Sequence, residues 1–240
     1  MHIPEKSMLT VLNVSTGYQK KEVLSGISFN INRGEIVMLA GSNGSGKSTL
    51  LKTIFGMLPL WSEGKITFNG EIITGSSASE LLKKGLLYIP QKNNLFEDLT
   101  VRENLQMAGL TLGKKIAKER IAKTLASFDV LGKLLNRTPM RLSGGERQLL
   151  VLAMATLHQP AMILYDEPFG GLSAHNITFI SHQLKMLGRE KGITLLIVEH
   201  RVRECTAIAD RVIGLKLGRM FSDVAIKKGF DINSLQPIFL

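Results

Sequence analysis

The stretch Gly41-Ser42-Asn43-Gly44-Ser45-Gly46-Lys47-Ser48-Thr49 decides the fold of this 240-residue chain. It follows the apolar residues 36–40 and leads into residues 50–55, an order that predicts a strand, a glycine-rich turn and a helix. Glycines let several backbone N–H groups approach a polyphosphate together, and the helix turns its positive end toward the same anion. A glycine-rich turn that contains lysine and serine by chance is the alternative, but both flanks agree with a P-loop. The stretch therefore predicts binding of a nucleoside triphosphate.

Two side chains of the loop have predicted roles of their own. Lys47 can reach the β- and γ-phosphates, and the Ser48 hydroxyl is placed to bind Mg²⁺. The other loop residues would surround the phosphates mainly with backbone N–H groups. The loop thus predicts a magnesium–nucleotide complex as the ligand.

A second anion-binding turn is predicted at Ser143-Gly144-Gly145. These residues precede a helical pattern over residues 147–158, so they would form a nest of N–H groups at a helix N-terminus. The same tripeptide is also common in ordinary turns. Its place, about twenty residues before the next motif, favours the anion-binding interpretation.

An acid pair, Asp166 and Glu167, ends the apolar run 162–165. Ligands of doubly wound sheets bind beyond the carboxyl ends of the strands, so Asp166 would orient Mg²⁺ and Glu167 would polarise the attacking water. The alternative is an acidic first turn of a helix. His200 follows another apolar run, 193–198, and could donate a hydrogen bond to a γ-phosphate, although a lone histidine is more often a solvated loop residue.

In this order the motifs resemble those of ABC-type ATP-binding subunits over essentially the whole chain. The resemblance implies that Tyr18 stacks on adenine, that Gln91 senses Mg²⁺ and the transmembrane partner, and that residues 143–145 close over ATP held by a second subunit. It implies catalytic roles for Lys47, Glu167 and His200, and metal contacts from Ser48, Gln91 and Asp166. The implied nucleotide-binding set is Tyr18, Gly41, Ser42, Asn43, Gly44, Ser45, Gly46, Lys47, Ser48, Thr49, Gln91, Ser143, Gly144 and Gly145.

Four segments, 89–96, 100–105, 166–172 and 198–204, are similar to compact prokaryotic subunits that serve branched-chain amino-acid importers or lipopolysaccharide export.

Three positions depart from the family pattern. Ser173 replaces an aspartate that helps the two subunits communicate, Met154 replaces a common arginine, and Tyr165 replaces an aliphatic residue. Because of Ser173 and Met154, a further alternative is a binding module that closes on ATP but hydrolyses it slowly.

Composition limits the remaining function classes. No apolar run approaches the roughly 18 residues of a spanning helix, no signal-peptide pattern begins the chain, and a single cysteine, Cys205, agrees with a cytoplasmic location. The net charge of +10 would suit a nucleic-acid binder, but no aromatic residues interleave the basic ones. The basic cluster 114–123 is interpreted as the solvated face of an amphipathic helix, with an anionic membrane surface as the alternative.

The predicted fold is an α/β P-loop NTPase core with an antiparallel β-subdomain and an inserted α-helical subdomain. Short strands and turns are expected through residues 8–90, and an almost wholly helical block through about 91–158, with helices at 101–110 and 114–128 and after the turn 143–145. Strand and helix return through 159–222 and complete the parallel sheet. The whole of 1–240 is then one domain, with 1–90 and 159–240 forming the core and β-subdomain.

Two anion-binding turns in one chain cannot both grip one phosphate tail, so a head-to-tail homodimer or heterodimer is expected. Opening and closing of this pair would drive integral-membrane permease subunits from the cytoplasmic face of the inner or plasma membrane, with no specific nucleic acid as partner. The alternative function is a soluble ABC ATPase that remodels a protein or assembles a cofactor.

Overall fold

The computed structural model describes residues 7–227 and 229–239, so residues 1–6, Lys228 and Leu240 of the predicted domain lie outside the described residues. The strands are β1 Ser7–Tyr18, β2 Lys21–Asn32, β3 Ile36–Ala40, β4 Lys65–Phe68, β5 Glu71–Ile72, β6 Leu86–Ile89, β7 Met162–Asp166, β8 Thr194–Val198, β9 Arg211–Lys216 and β10 Arg219–Ala225. The α-helices are α1 Lys47–Ile54, α2 Ala78–Lys83, α3 Val101–Ala108, α4 Lys114–Ser127, α5 Asp129–Gly132, α6 Gly144–Thr156, α7 Ala174–Arg189 and α8 Val202–Thr206. Short 3₁₀ helices lie at Leu110–Leu112, Pro139–Arg141 and Ile232–Ile238.

A six-stranded sheet in the order β10-β9-β3-β8-β7-β6 forms the centre of the molecule. The strands from β9 to β6 run parallel, and every residue of β3, β7 and β8 is buried. Parallel strands covered on both faces require continuous apolar runs, which explains why these segments carry no alternation. Because the strands are parallel, the loops after β3, β6, β7 and β8 meet at one edge of the sheet.

The last strand differs from the expected completion of the parallel sheet. β10 pairs antiparallel with β9, and the tight turn Leu217-Gly218 joins them. Both turn residues have positive φ, 49° and 75°, as a two-residue hairpin requires. A connection this short cannot cross over to a parallel neighbour, so the hairpin imposes the antiparallel edge.

The second sheet is antiparallel, in the order β2-β1-β4-β5. β1 and β2 each span 12 residues, longer than the short strands expected from the sequence. Irregularities in their register, for example between Val11 and Val14, let the long pair twist across the core. Side chains from both sheets and from α1 share one buried cluster, which includes Leu9, Phe68 and Leu50.

Helices α3 to α6 occupy most of the chain between β6 and β7. The helices expected at 101–110 and 114–128 and after the turn 143–145 correspond to α3, α4 and α6, while residues 91–100 of the mostly helical block form turns and bends. Thr100 begins α3 with a capping box shared with Glu103. The buried Asn104 amide holds the preceding turn, since its oxygen accepts from Phe96 N at 2.9 Å and its nitrogen donates to Phe96 O at 3.0 Å.

No described helix has the length and apolar character needed to span a bilayer. The α/β fold class is confirmed, whereas the division into a core of 1–90 and 159–240 and a helical lobe of 91–158 stays a prediction.

Candidate nucleotide-binding and hydrolysis site

The P-loop connects β3 to α1 across residues 41–46. Its glycines are required by space as well as by backbone conformation. A Cβ on Gly41 would lie 2.5 Å from both Leu215 O and Ser45 Oγ, and Gly46 has a φ of 100°. Side chains at these positions would push the loop away from its supports and from any phosphate that it surrounds.

Lys47 is the first residue of α1, and only 5% of it is exposed. Its Nζ donates to the carbonyl oxygens of Gly41 and Ser42, each at 2.9 Å. Burial lowers the pKa of Lys47, while the charges of Glu167 and Asp166 act to raise it. The ammonium is therefore held across the mouth of its own loop, where a phosphate oxygen could replace a carbonyl.

Asp166 ends β7 and meets the first turn of α1. Its Oδ1 accepts a hydrogen bond from Ser48 Oγ at 3.1 Å, and its Oδ2 accepts one from Tyr88 Oη at 3.4 Å. Burial is the main cause that raises the pKa of Asp166, and the bond to Ser48 opposes it. A hydroxyl beside a carboxylate fits Mg²⁺, which prefers oxygen ligands and uses few protein groups when phosphates are bound. Within the described ranges, no group of three or more His, Cys, Asp or Glu side chains could hold a metal.

Glu167 lies where three loops converge. Its backbone adopts a positive φ of 51°, and its N–H donates to Val198 O at 2.9 Å. Its Oε1 lies 3.1 Å from His200 Nε2, and its Oε2 accepts a hydrogen bond from Gln91 Nε2. The ends of β6, β7 and β8 thus bring three of the predicted site residues into direct contact.

The remaining predicted residues lie outside this cluster. Tyr18 ends β1 with 43% of its surface exposed. Ser143 caps its own helix α6, because its Oγ accepts from Glu146 N at 3.3 Å while Glu146 Oε2 accepts from Ser143 N at 2.7 Å. Within residues 7–227 and 229–239, no hydrogen bond joins 143–145 to the P-loop.

The three departures from the family pattern each have a local role. Ser173 caps α7, since its Oγ accepts from Asn176 N at 3.4 Å, a role that aspartate also fills. Tyr165 is buried and donates its hydroxyl to Gln148 on α6. Met154 packs, partly buried, against the main apolar cluster.

Two residues of the site were not predicted from the sequence. Tyr88 reaches Asp166 from β6, and the buried Glu199 stands between β8 and His200. A charged residue directly after a buried strand was the available signal for Glu199, but the sequence does not say which way that side chain points.

The comparisons with known proteins agree with this geometry. A protein family described as ABC transporter matches residues 24–170. The probable branched-chain amino acid transport ATP-binding protein LivF of Archaeoglobus fulgidus is 36% identical over 213 residues, which cover 89% of this chain and 90% of that protein. The lipopolysaccharide export system ATP-binding protein LptB of Haemophilus influenzae is 32% identical over 238 residues, covering 98% and 97%.

Solved structures of the same kind superpose on the chain. A nucleotide-free ATP-binding cassette from an ABC transporter has a TM-score of 0.86 and 27% identity, with 96% of this chain and 95% of that one covered. The dimeric, post-hydrolysis ATP-binding cassette MJ0796, bound to ADP and Pi, has a TM-score of 0.80 and 27% identity, covering 92% and 99%.

Proposed function

This chain belongs to the ABC transporter family, and on that premise we propose how its residues drive transport. It is an ATP-binding subunit of a transporter and hydrolyses ATP. The observation that carries the proposed mechanism is the convergence of Gln91 and His200 on the carboxylate of Glu167.

The P-loop and Lys47 hold the triphosphate. Backbone N–H groups of residues 41–46 and the Lys47 ammonium neutralise the phosphates, and Tyr18 offers an exposed ring for adenine. Ser48 and Asp166 would supply oxygens for Mg²⁺, with Gln91 as a further proposed metal contact, and the metal when bound would neutralise charge on the β- and γ-phosphates.

Glu167 accepts a proton from, or polarises, the water that attacks the γ-phosphate. His200 Nε2 lies beside the Glu167 carboxylate, and when that nitrogen carries the proton it would donate to Glu167 without nucleotide and to the γ-phosphate once ATP is bound. The carboxylate is only partly exposed, so a nucleotide that covers it would leave room for little water beyond the attacking one.

Replacing Lys47 by alanine tests the nucleotide site. We expect Lys47→Ala to lose about 3 kcal/mol of binding, which is roughly 100-fold in ATP affinity, because it removes charge-assisted hydrogen bonds to two phosphates. Titration of the purified chain with a fluorescent ATP analogue measures this loss. Lys65→Ala, at an exposed position of β4, serves as the control and should bind normally. An unchanged affinity in Lys47→Ala would remove Lys47 from the phosphate site.

The second anion-binding turn supports a head-to-tail pair. Residues 143–145 begin α6, and they make no hydrogen bond to the P-loop among the described residues of their own chain. In this pair the N–H groups of Gly144 and Gly145, in the first turn of α6, would donate to the γ-phosphate held by another subunit, whereas the Ser143 N–H is already bonded to Glu146. Related cassettes have dimeric structures. In this arrangement each ATP joins two chains, and its hydrolysis removes the charge that holds them together.

A groove between α3 and α4 is the proposed docking surface for a membrane-spanning permease. It encloses about 690 Å³, has apolar walls that include Leu105, Ile121 and Leu125, and carries the cations Arg102 and Lys118 among its lining residues. An apolar floor with a basic rim is complementary to a short amphipathic helix with acidic residues. Such a partner would hold the subunit on the cytoplasmic face of the inner or plasma membrane.

Charge reversal on this groove tests the permease assignment. Lys118→Glu should weaken retention of the co-expressed permease by at least about tenfold, because like charges at an interface repel. Co-purification from detergent extracts measures retention, and ATP affinity of the isolated subunit should stay unchanged. Lys65→Glu is the matched control on another surface. If both variants retain the permease equally, the groove is not its docking site.

A further inference from the structure

The buried charged side chains among the described residues are Lys47, Asp166 and Glu199. The first two belong to the proposed site, but no role has been given to Glu199. It follows the last residue of β8 and is only 3% exposed. No described cation forms an ion pair with it. A buried carboxylate without an ion pair is costly, so its hydrogen bonds require an explanation.

The Glu199 carboxylate is bound entirely by backbone N–H groups. Its Oε1 accepts from Phe169 N at 2.7 Å, and its Oε2 accepts from His200 N at 2.9 Å and from Arg201 N at 3.2 Å. Burial acts to raise the pKa of Glu199, and these three bonds act to lower it. The carboxylate therefore joins two segments of the chain that leave different strands.

Those two segments carry the proposed catalytic pair. Phe169 follows Glu167 by two residues and packs in the apolar core. His200 donates its own backbone N–H to the Glu199 carboxylate. The backbone N–H of Glu167 donates to Val198 O, which ties Glu167 directly to the end of β8. Glu167 also has a positive φ, a conformation that persists only when its surroundings enforce it.

We propose that Glu199 is a positioning residue that fixes the Glu167 carboxylate against His200 for hydrolysis. The proposal rests on the roles given above to Glu167 and His200 and adds a buried residue whose side chain is bonded to backbone N–H groups. Misplacing a reacting group by about 1 Å can lower the rate about 10²-fold. Loss of the hydrogen bonds that Glu199 makes to the two segments should therefore lower the rate of hydrolysis measurably.

The test is Glu199→Gln, which keeps the shape but loses one acceptor. The amide has a single acceptor oxygen, so its NH₂ must face either Phe169 N or the N–H groups of His200 and Arg201. We expect kcat for ATP to fall by at least about tenfold while KM changes by less than roughly twofold, because the P-loop is untouched. Faster hydrogen exchange at the Phe169 amide should accompany the loss.

Asp210→Asn is the control for loss of a carboxylate that binds a backbone N–H away from the site, since Asp210 accepts from Ile36 N at 2.9 Å at the start of β3 and also pairs with Arg189. It should lower thermal stability without lowering kcat. Glu199→Asp keeps the charge and should recover part of the kcat that glutamine loses. If Glu199→Gln does not fold, Glu199→Asp replaces it in the test, and its kcat and KM are compared with those of Asp210→Asn.

A folded Glu199→Gln with wild-type kcat, a kcat loss no larger than that of Asp210→Asn, or equal kcat in Glu199→Asp and Glu199→Gln would overturn the proposal. These outcomes leave the role of Glu167 standing, because Glu167→Gln tests that role separately.

Discussion

Glu167→Gln is expected to lower the rate of ATP hydrolysis by about 10³-fold while ATP still binds. The amide fills the same space and can still accept from Gln91, but it cannot take a proton from water. Multiple-turnover phosphate release measures the rate, and size exclusion with Mg-ATP measures pairing. Because ATP is no longer consumed, a stable ATP-loaded dimer should accumulate.

Two comparisons make this result decisive. Glu190→Gln alters an exposed carboxylate after α7 and should hydrolyse ATP normally. If Glu167→Gln instead hydrolysed ATP at the wild-type rate, the catalytic role would have to move, with His200, 3.1 Å away, as the next candidate.

Ser143→Arg should abolish ATP-driven pairing and leave ATP binding by the isolated subunit almost unchanged. An arginine at the start of α6 would fill the turn meant for the γ-phosphate of the other subunit. The lost helix cap should cost only about 1 kcal/mol, so the chain should stay folded. Nucleotide affinity at high dilution and dimer fraction at high concentration are the two measurements.

The chain offers a close control for this variant. Ser77 caps α2 through the same capping box, with Glu80 in the place that Glu146 has on α6. Ser77→Arg therefore loses an equivalent cap on another helix and should still pair. Equal loss of affinity and pairing in Ser143→Arg would mean that Ser143 supports its own subunit, and the head-to-tail arrangement would be excluded.

The sequence by itself determined the features whose conformation depends on residues close by in the chain. The P-loop is local, since a buried strand, closely spaced glycines and a helix start specify its backbone without help from the rest of the chain. The α/β class and the ABC transporter family, both predicted from the motifs and their order, are confirmed. The roles of the individual site residues stay predictions that the variants above test.

Local patterns were less informative where distant contacts decide the conformation. The turn at residues 96–100 is held by the buried Asn104 amide, which bonds to backbone groups of Phe96, Leu99 and Thr100. β10 turns back along β9 because Leu217 and Gly218 close a tight hairpin. In both places the deciding contact is made by a side chain or backbone angle that hydrophobic periodicity does not report.

Only the tertiary structure decided how the loops after three strands meet. Gln91, Glu167 and His200 are brought into contact because β6, β7 and β8 are adjacent and parallel, although helices separate these strands along the chain. The tertiary structure also decided that the Glu199 side chain is buried, since a residue just past a strand can face either water or the core. Its partners, three backbone N–H groups from two loops, exist only once the sheet has formed.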